Sequence, residues 1–413
     1  MSVPDSAALL RDQLAHLATS PFYAERLGGR ERTLADLPHL PFLVKEELRG
    51  GQRDAPPFGS HLCVPPERLV RMHVTSGTTG EPVAIGLTQP DHLANSAVGG
   101  AAFTIAGLRA DDLVAHCLNY ALYAGGVADH MALEASGATV LPVGVGQSRR
   151  LLDLIGQLGV TAIFGTLSFP AHLAARAREA DVEPRALGLR RIVTAGEPGA
   201  GLASVRRGIE DTWGAPVADT FGMSDVWSTM GAECGEGEGL HLTTKNHAIL
   251  EVIDPDSGAV LPFEDGVAGE FVWTHLQREA SPLLRYRSAD LGVVRTAPCA
   301  CGRTSPRIRV DGRRDDMLRV QAVNVHPRAV GEQLSRHAGL GRWAVVALGD
   351  PIVPPLRVYV EAAPGAAAIL PRVAEDLRRA LGAAVELRRV EPGTLPVAEQ
   401  KTRTVYRGED PFA

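Results

Sequence analysis

Thr75-Ser76-Gly77-Thr78-Thr79-Gly80-Glu81-Pro82 joins two short apolar runs, Leu69 to Val74 and Val83 to Leu87, that read as strands. Glycines in such a turn let the backbone come close to a ligand. The hydroxyls and loop amides together can donate hydrogen bonds to a polyphosphate. The loop is not of the Walker type, which ends in Gly-Lys-Ser/Thr and opens a helix; here Glu81-Pro82 follows the last glycine and a β-type run comes next. Alone, the stretch is equally well an ordinary Ser/Thr/Gly hairpin turn, and the segments around it decide.

Outward from this loop, the 413 residues with 45% hydrophobic content can bury a large core and exceed the usual single-domain size, so two or more domains are expected. The net charge of −6, with no cluster of Lys and Arg interleaved with aromatics, argues against nucleic acid as a partner. Leu9, Leu10, Leu14 and Leu17 carry helical spacing without the pattern of a leader peptide, and no run approaches the length of a membrane span. A soluble, cytoplasmic chain without membrane contact is expected. Five cysteines (63, 117, 234, 299, 301) are an odd and sparse set, which favours metal ligation or free thiols over a disulfide framework.

Short β-rich runs (Leu113 to His116, Thr139 to Val143, Ala162 to Gly165, Arg191 to Ala195, Pro216 to Thr220) alternate with helical segments such as Arg149 to Leu158, Ala171 to Glu179 and Gly201 to Trp213. That alternation predicts an α/β body with largely parallel strands. Ile249 to Thr274 and Arg307 to Val323 are β-rich with Gly, Pro and Asp turns, which predicts a smaller antiparallel sheet or barrel. The last hundred residues predict a compact α+β unit. It has strands at Trp343 to Leu348, Leu356 to Ala362 and Ala384 to Val390, and a helix at Ile369 to Leu381. Turn residues and charge coincide at Asp311 to Asp316, so the expected domains are 1–311 and 312–413.

Further motifs follow the loop in order: Gly196-Glu197-Pro198, Asp219-Thr220-Phe221-Gly222-Met223-Ser224-Asp225, Arg285-Tyr286-Arg287-Ser288-Ala289-Asp290-Leu291, Gly312-Arg313-Arg314-Asp315-Asp316, and Lys401. In this order they resemble the core motifs of adenylate-forming enzymes. Pro21-Phe22-Tyr23, Leu40-Pro41-Phe42, Lys45-Glu46-Glu47-Leu48, Tyr120 to Gly126 and Val323-Asn324-Val325-His326-Pro327 narrow the resemblance to the phenylacetate-coenzyme A ligase branch. The resemblance spans about residues 8 to 407.

It implies a large N-terminal adenylation domain with α/β sheets and a β-rich subdomain, followed by a small mobile C-terminal lid. ATP would activate a carboxylic acid as acyl-AMP, with negative charge held on both sides of the α-phosphorus. Ser76, Gly77, Thr78, Thr79 and Gly80 would cradle the phosphates; Phe221 would stack on adenine beside Gly196-Glu197-Pro198, within the motif from Asp219 through Gly222 to Ser224. Asp290 would accept the ribose hydroxyls, Arg313 would anchor the nucleotide, and Lys401 would span the α-phosphate and the carboxylate in the transition state. Asp225 stands where the family has a Mg²⁺-linked Glu. Tyr120, Ala121, Gly125 and Gly126, with Gly196, Met223 and Ser224, would line the acyl pocket; small residues leave room for a planar ring and Tyr120 supplies a wall or a phenolic hydrogen bond. Asn119 and His116 could read a ring substituent.

Two departures stand out. Glu81 occupies a place where the family often has Lys, and Ala322 replaces a Gly that borders the thiol tunnel in relatives. The second predicts slow or absent turnover with free coenzyme A and faster transfer to a dedicated acceptor.

Cys234, His241, Cys299 and Cys301 offer three thiolates and an imidazole, a donor set suited to closed structural zinc. Some members of the resembled branch carry the same four residues. The expected activity is ATP-dependent activation of an aryl acid and transfer to a thiol, that of coenzyme A or of an acyl carrier protein. The alternatives are transfer to an amine, or a zinc-stapled nucleotide-binding module without turnover. A homodimer is left open.

Overall fold

The computed structural model of the chain describes residues 6–75, 81–197, 203–236, 238–321, 323–396 and 404–412. Two compact units emerge. The first comprises Met1–Gly165, Leu189–Ala195 and Ala218–Val310, the second Thr166–Gly188, Gly196–Val217 and Asp311–Ala413.

In the first unit, helices α1 (Ser6–Leu17) and α2 (Pro21–Leu27) place the predicted leucine stripe inward. Leu10, Leu14 and Leu17 pack with Tyr23, Leu276 and Leu284. α3 (Lys45–Asp54) follows, then an antiparallel hairpin of β1 (Arg71–Val74) and β2 (Ala84–Leu87). α4 (Gln89–Ile105) starts at a capping box, in which Thr88 Oγ1 accepts the Asp91 N–H and the Asp91 carboxylate accepts the Thr88 N–H. It packs on α5 (Ala124–Ala135) at a distance that only glycine allows: a Cβ at Gly99 would stand 2.6 Å from the Ala132 methyl, and one at Gly100 2.9 Å from the Ala135 backbone.

The main sheet has eleven strands among the described residues, with β3 (Leu113–His116), β4 (Thr139–Pro142), β5 (Ala162–Thr166), β6 (Arg191–Ala195) and β7 (Val217–Phe221) on one side. β8 (Gly231–Ala232), β9 (Leu240–Leu242), β10 (Ala248–Ile253), β11 (Ala268–His275), β12 (Tyr286–Arg295) and β13 (Arg307–Arg313) complete it. The strand order is β10-β11-β12-β13-β9-β8-β7-β6-β5-β3-β4. β3 pairs in parallel with β4 and β5, as the α/β pattern predicts, and α6 (Ser148–Leu158) lies between β4 and β5 in the chain. The β-rich stretches form the antiparallel half, continuous with the parallel half through β8 and β9. Trp227, Phe271, Trp273 and Tyr286 fill its core. Each such aromatic withdraws about 150–250 Å² from water, on the order of 4–6 kcal/mol of transfer free energy.

In the second unit, α7 (Phe169–Glu179) and α8 (Ala203–Trp213) are joined by the Trp213 indole N–H donating to the Pro170 carbonyl at 3.1 Å. The C-terminal stretch contains a hairpin of β14 (Leu318–Val320) and β15 (Val323–Val325), helix α9 (Pro327–Leu334), and a sheet in the order β18-β17-β16-β19. Those four strands are β16 (Leu340–Ala347), β17 (Leu356–Ala362), β18 (Val385–Val390) and β19 (Val405–Arg407). α10 (Leu370–Leu381) turns Val373, Leu377 and Leu381 into a core with Val345, Val358 and Val360, and ends at left-handed Gly382. This is the predicted α+β unit. Among the described residues no helix is long and apolar enough to cross a membrane.

Candidate functional site

The β1–β2 hairpin supplies the stem of the hydroxyl-rich loop. Thr75 closes it twice, its N–H donating to the Val83 carbonyl at 2.9 Å and its Oγ1 accepting the Val83 N–H at 3.0 Å. Ser76, Gly77, Thr78, Thr79 and Gly80 lie outside the described residues, as do Pro198, Ala322 and Lys401. Glu81 is exposed, and its carboxylate is paired with Arg53 at 3.0 Å, so its charge has a surface counter-ion.

The motif after β7 is a tight turn: the Met223 N–H donates to the Trp227 carbonyl at 2.9 Å and the Val226 N–H to the Met223 carbonyl at 3.1 Å. Gly222 is obligatory there, since a Cβ would fall 2.0 Å from the Ser228 carbonyl oxygen. Phe221 and Met223 are half-buried against the first unit's core, and Ser224 is half-buried beside them. Asp219 is engaged structurally, accepting from Thr194 Oγ1 at 2.9 Å.

Asp225 joins three elements. Its Oδ2 accepts from Lys45 Nζ at 3.1 Å and from the Tyr286 hydroxyl at 3.2 Å, while its Oδ1 is buried without a hydrogen-bond partner among the described residues. One free, buried carboxylate oxygen fits a hard cation that takes oxygen ligands. Asp290 is buried on β12, its N–H donating to Ser288 Oγ. Arg285 and Arg287 are no solvated loop charges: Arg285 is bidentate on Glu251 at 3.1 and 3.0 Å, Arg287 pairs with Glu270, and both guanidinium groups lie over the Phe42 ring.

In the second unit, Gly196 takes the left-handed φ of 78°, and the Glu197 carboxylate accepts from the Ser168 N–H at 2.7 Å and hydroxyl at 3.1 Å. Arg313 is bidentate on Asp315 at 2.8 and 2.7 Å.

The segment from Tyr120 to Gly126 turns sharply into α5. Leu122 sits at φ 65°, with the Tyr123 N–H reaching back to the Ala121 carbonyl at 2.7 Å, a strained conformation for a branched side chain. The Leu122 carbonyl accepts the Val74 N–H at 3.1 Å, which ties this segment to the stem of the hydroxyl-rich loop. Asn119 Oδ1 is occupied by the Ala121 N–H. Gly125 and Gly126 form the first turn of α5, and a Cβ at Gly125 would stand 3.6 Å from the Asp129 carboxylate. Asp129 is buried and accepts from Thr229 Oγ1 at 2.9 Å.

The predicted metal ligands converge. One ligand atom from each of Cys234, His241, Cys299 and Cys301 lies within 4.8 Å of all the others. Cys234 and Cys299 sulfurs are 3.7 Å apart and Cys301 Sγ is 3.4 Å from His241 Nε2. These match the edges, about 3.3–3.8 Å, of a tetrahedron with zinc's bond lengths. His241 is fixed by register on β9 opposite Arg307, and its Nδ1 is held by Ser305 Oγ at 3.1 Å, the outer hydrogen bond that orients a metal-binding imidazole. Burial and the Arg307 charge push His241 below its usual pKa, keeping the ligand form. Burial raises Cys301, but hydrogen bonds from Arg303 and the neighbouring thiols outweigh it and bring this thiol to about 7. His247 stays outside the cluster, packed on Trp227. All five cysteines are free of disulfides.

Sequence reasoning missed Lys45 and Tyr286 as partners of Asp225, and His130 and Glu134 behind Tyr120. The His130–Glu134 spacing on one helix was a readable signal.

The family model described as AMP-binding enzyme matches residues 24–275. The phenylacetate-coenzyme A ligase of Thermus thermophilus is 36% identical over 302 residues, 72% of this chain and 66% of that protein. That of Pseudomonas putida is 36% identical over 303 residues, 73% of this chain and 66% of its own length. The matched stretch thus spans just under two thirds of these relatives. The structure of 2-hydroxyisobutyryl-CoA ligase in the postadenylation state superimposes with a TM-score of 0.88 at 28% identity, covering 97% of this chain and 88% of that one.

Proposed function

The chain belongs to the AMP-binding enzyme family, and from that premise we propose that it activates an aromatic carboxylic acid with ATP and passes the acyl group to a thiol. An oxygen of the acid attacks the α-phosphorus, pyrophosphate leaves, and the acyl-AMP then loses AMP to the attacking sulfur. The observation that carries this reading is the Val74 to Leu122 hydrogen bond, which sets the stem of the hydroxyl-rich loop beside the Tyr120 to Gly126 segment and so supports assigning phosphates to the one and the acid to the other. Two reactants held side by side gain the orientation that the first step needs.

In this reading Ser76, Thr78 and Thr79 hold the phosphates, Phe221 covers adenine, Asp290 takes the ribose, and Arg313 and Lys401 act from a mobile lid at 312–413. Mg²⁺ would be held by Asp225 through its free Oδ1 and would neutralise phosphate charge. Zinc held by the Cys₃His cluster would have four protein ligands and no open position for water, so its role would be structural.

Coenzyme A leads as the acceptor because relatives are named for it. The slow turnover expected from Ala322 rests on a residue outside the described ones and is left to assay. A second acid class is favoured by the similarity to 2-hydroxyisobutyryl-CoA ligase: a short 2-hydroxy acid in place of an aryl acid. Carboxylate-dependent ATP/pyrophosphate exchange with a panel of benzoates, phenylacetates and 2-hydroxy acids, repeated with coenzyme A, separates these. Exchange with aryl acids is expected, and the rate of thioester formation with free coenzyme A tests the expectation from Ala322; exchange confined to 2-hydroxy acids would reject the aryl reading.

A further inference from the structure

A hydrogen-bond chain behind the acyl segment uses up the Tyr120 hydroxyl. Tyr120 Oη lies 2.5 Å from His116 Nδ1 and 2.8 Å from His130 Nδ1. The far nitrogen of His116 is 3.1 Å from the Gly125 carbonyl oxygen, and that of His130 is 3.2 Å from a Glu134 carboxylate oxygen. A carbonyl and a carboxylate only accept, so both far nitrogens carry protons.

His116 has no exposed surface and stacks on Phe164 at 5.4 Å. Burial keeps this imidazole neutral, holding its pKa down at about 4. With its one proton on Nε2, its Nδ1 is a bare acceptor. The Tyr120 hydroxyl therefore donates to His116, and its oxygen accepts from the His130 Nδ1–H; because His130 also donates to Glu134 from Nε2, this arrangement requires it to be the doubly protonated imidazolium. Donation thus runs outward from His130, to Glu134 on one side and through Tyr120 and His116 to the Gly125 carbonyl at the start of α5 on the other.

We propose that His130 is a positioning residue of the acyl pocket: with His116 it grips the Tyr120 hydroxyl from both sides, so that Tyr120 offers the acid an aromatic face and no hydroxyl donor. The ligand class this selects is an aromatic acid whose ring is apolar where it meets Tyr120. The proposal rests on the acyl-pocket role of Tyr120 given above. His130 acts through Tyr120, and losing its hydrogen bond frees the phenol to rotate without changing the atoms that react.

Two measurements test it. In ATP/pyrophosphate exchange with phenylacetate, His130→Phe and Tyr120→Phe are each expected to raise KM for the acid about tenfold, the size of one hydrogen bond to a charged group. The KM for ATP should stay put, and His130→Gln, whose amide can still donate to Tyr120, should recover most of the loss. The double variant should be no worse than Tyr120→Phe alone; additive losses overturn the proposal, because His130 would then act by another route. In the full chain labelled with ¹⁵N-histidine, His116 should appear as the Nε2–H tautomer, and a proton on Nδ1 overturns the relay whatever the assay shows. If the wild-type chain exchanges with no acid, the proposed function falls while the tautomer spectrum still decides the relay.

Discussion

Burial raises the Asp129 carboxyl to about 6, and hydrogen bonds from Ser228 and Thr229 pull it only part of the way back. Its folded pKa stands above the unfolded value, so the folded chain binds this proton more tightly. The group costs nothing below the unfolded pKa near 3.8, and its penalty grows as pH rises to about 6 and is then constant. Asp129→Asn keeps an oxygen for Thr229 and removes the charge. It is expected to raise stability above pH 6 by up to about 3 kcal/mol, an effect that fades toward pH 4. Thermal unfolding of both proteins between pH 4 and 8 checks this; a gain independent of pH would mean that the carboxyl is not the cause. Nothing in the sequence marks Asp129 as special, because the burial that raises it is a product of the tertiary fold and its Thr229 partner, which offsets part of the shift, lies a hundred residues away. Lys45 is similar: its bond to Asp225 crosses 180 positions, and no local pattern encodes it.

At the scale of elements, the Cys₃His cluster gathers residues on and beside neighbouring strands. Cys234 follows β8, His241 lies on β9, and Cys299 and Cys301 precede β13, which pairs with β9. One zinc per chain is expected by elemental analysis of protein purified without chelator. Cys299→Ser should lower the unfolding midpoint by about 5 °C or more while leaving the rate per folded molecule close to wild type. A variant that melts like wild type would place the metal elsewhere or nowhere. This cluster was legible because ligand chemistry restricts residue type more tightly than packing does. So were the parallel strands and α10, whose periodicity is local. The Leu122 turn was not: nothing in Tyr-Ala-Leu-Tyr announces a left-handed leucine, and the bond to β1 that accompanies it is set by the tertiary fold.

At the scale of the molecule, the C-terminal stretch has its own core around Val345, Val358 and Leu377. Under the proposed function its lysine, Lys401, contributes only when the transferring phosphate is most crowded and anionic. Lys401→Ala is therefore expected to reduce pyrophosphate exchange by at least about a hundredfold while nucleotide binding, read by calorimetry, changes little. Exchange at the wild-type rate would remove Lys401 from the chemistry. The order of motifs along the chain made the fold class readable, whereas the fusion of the two sheet types into one eleven-stranded sheet was not, since β8 and β9 are too short to show a period. That fusion has a consequence for how the chain is made. Cys234 and Cys299 are 65 positions apart and His241 and Cys301 are 60 apart. During synthesis the first pair of ligands leaves the ribosome long before the second, and the loop between them closes late and at an entropic cost that grows with its length. Under the proposed structural zinc, a cell starved of that metal would therefore accumulate nascent chains whose two ligand pairs stay unjoined, so metal supply should govern the yield of folded protein more than the activity of each folded molecule.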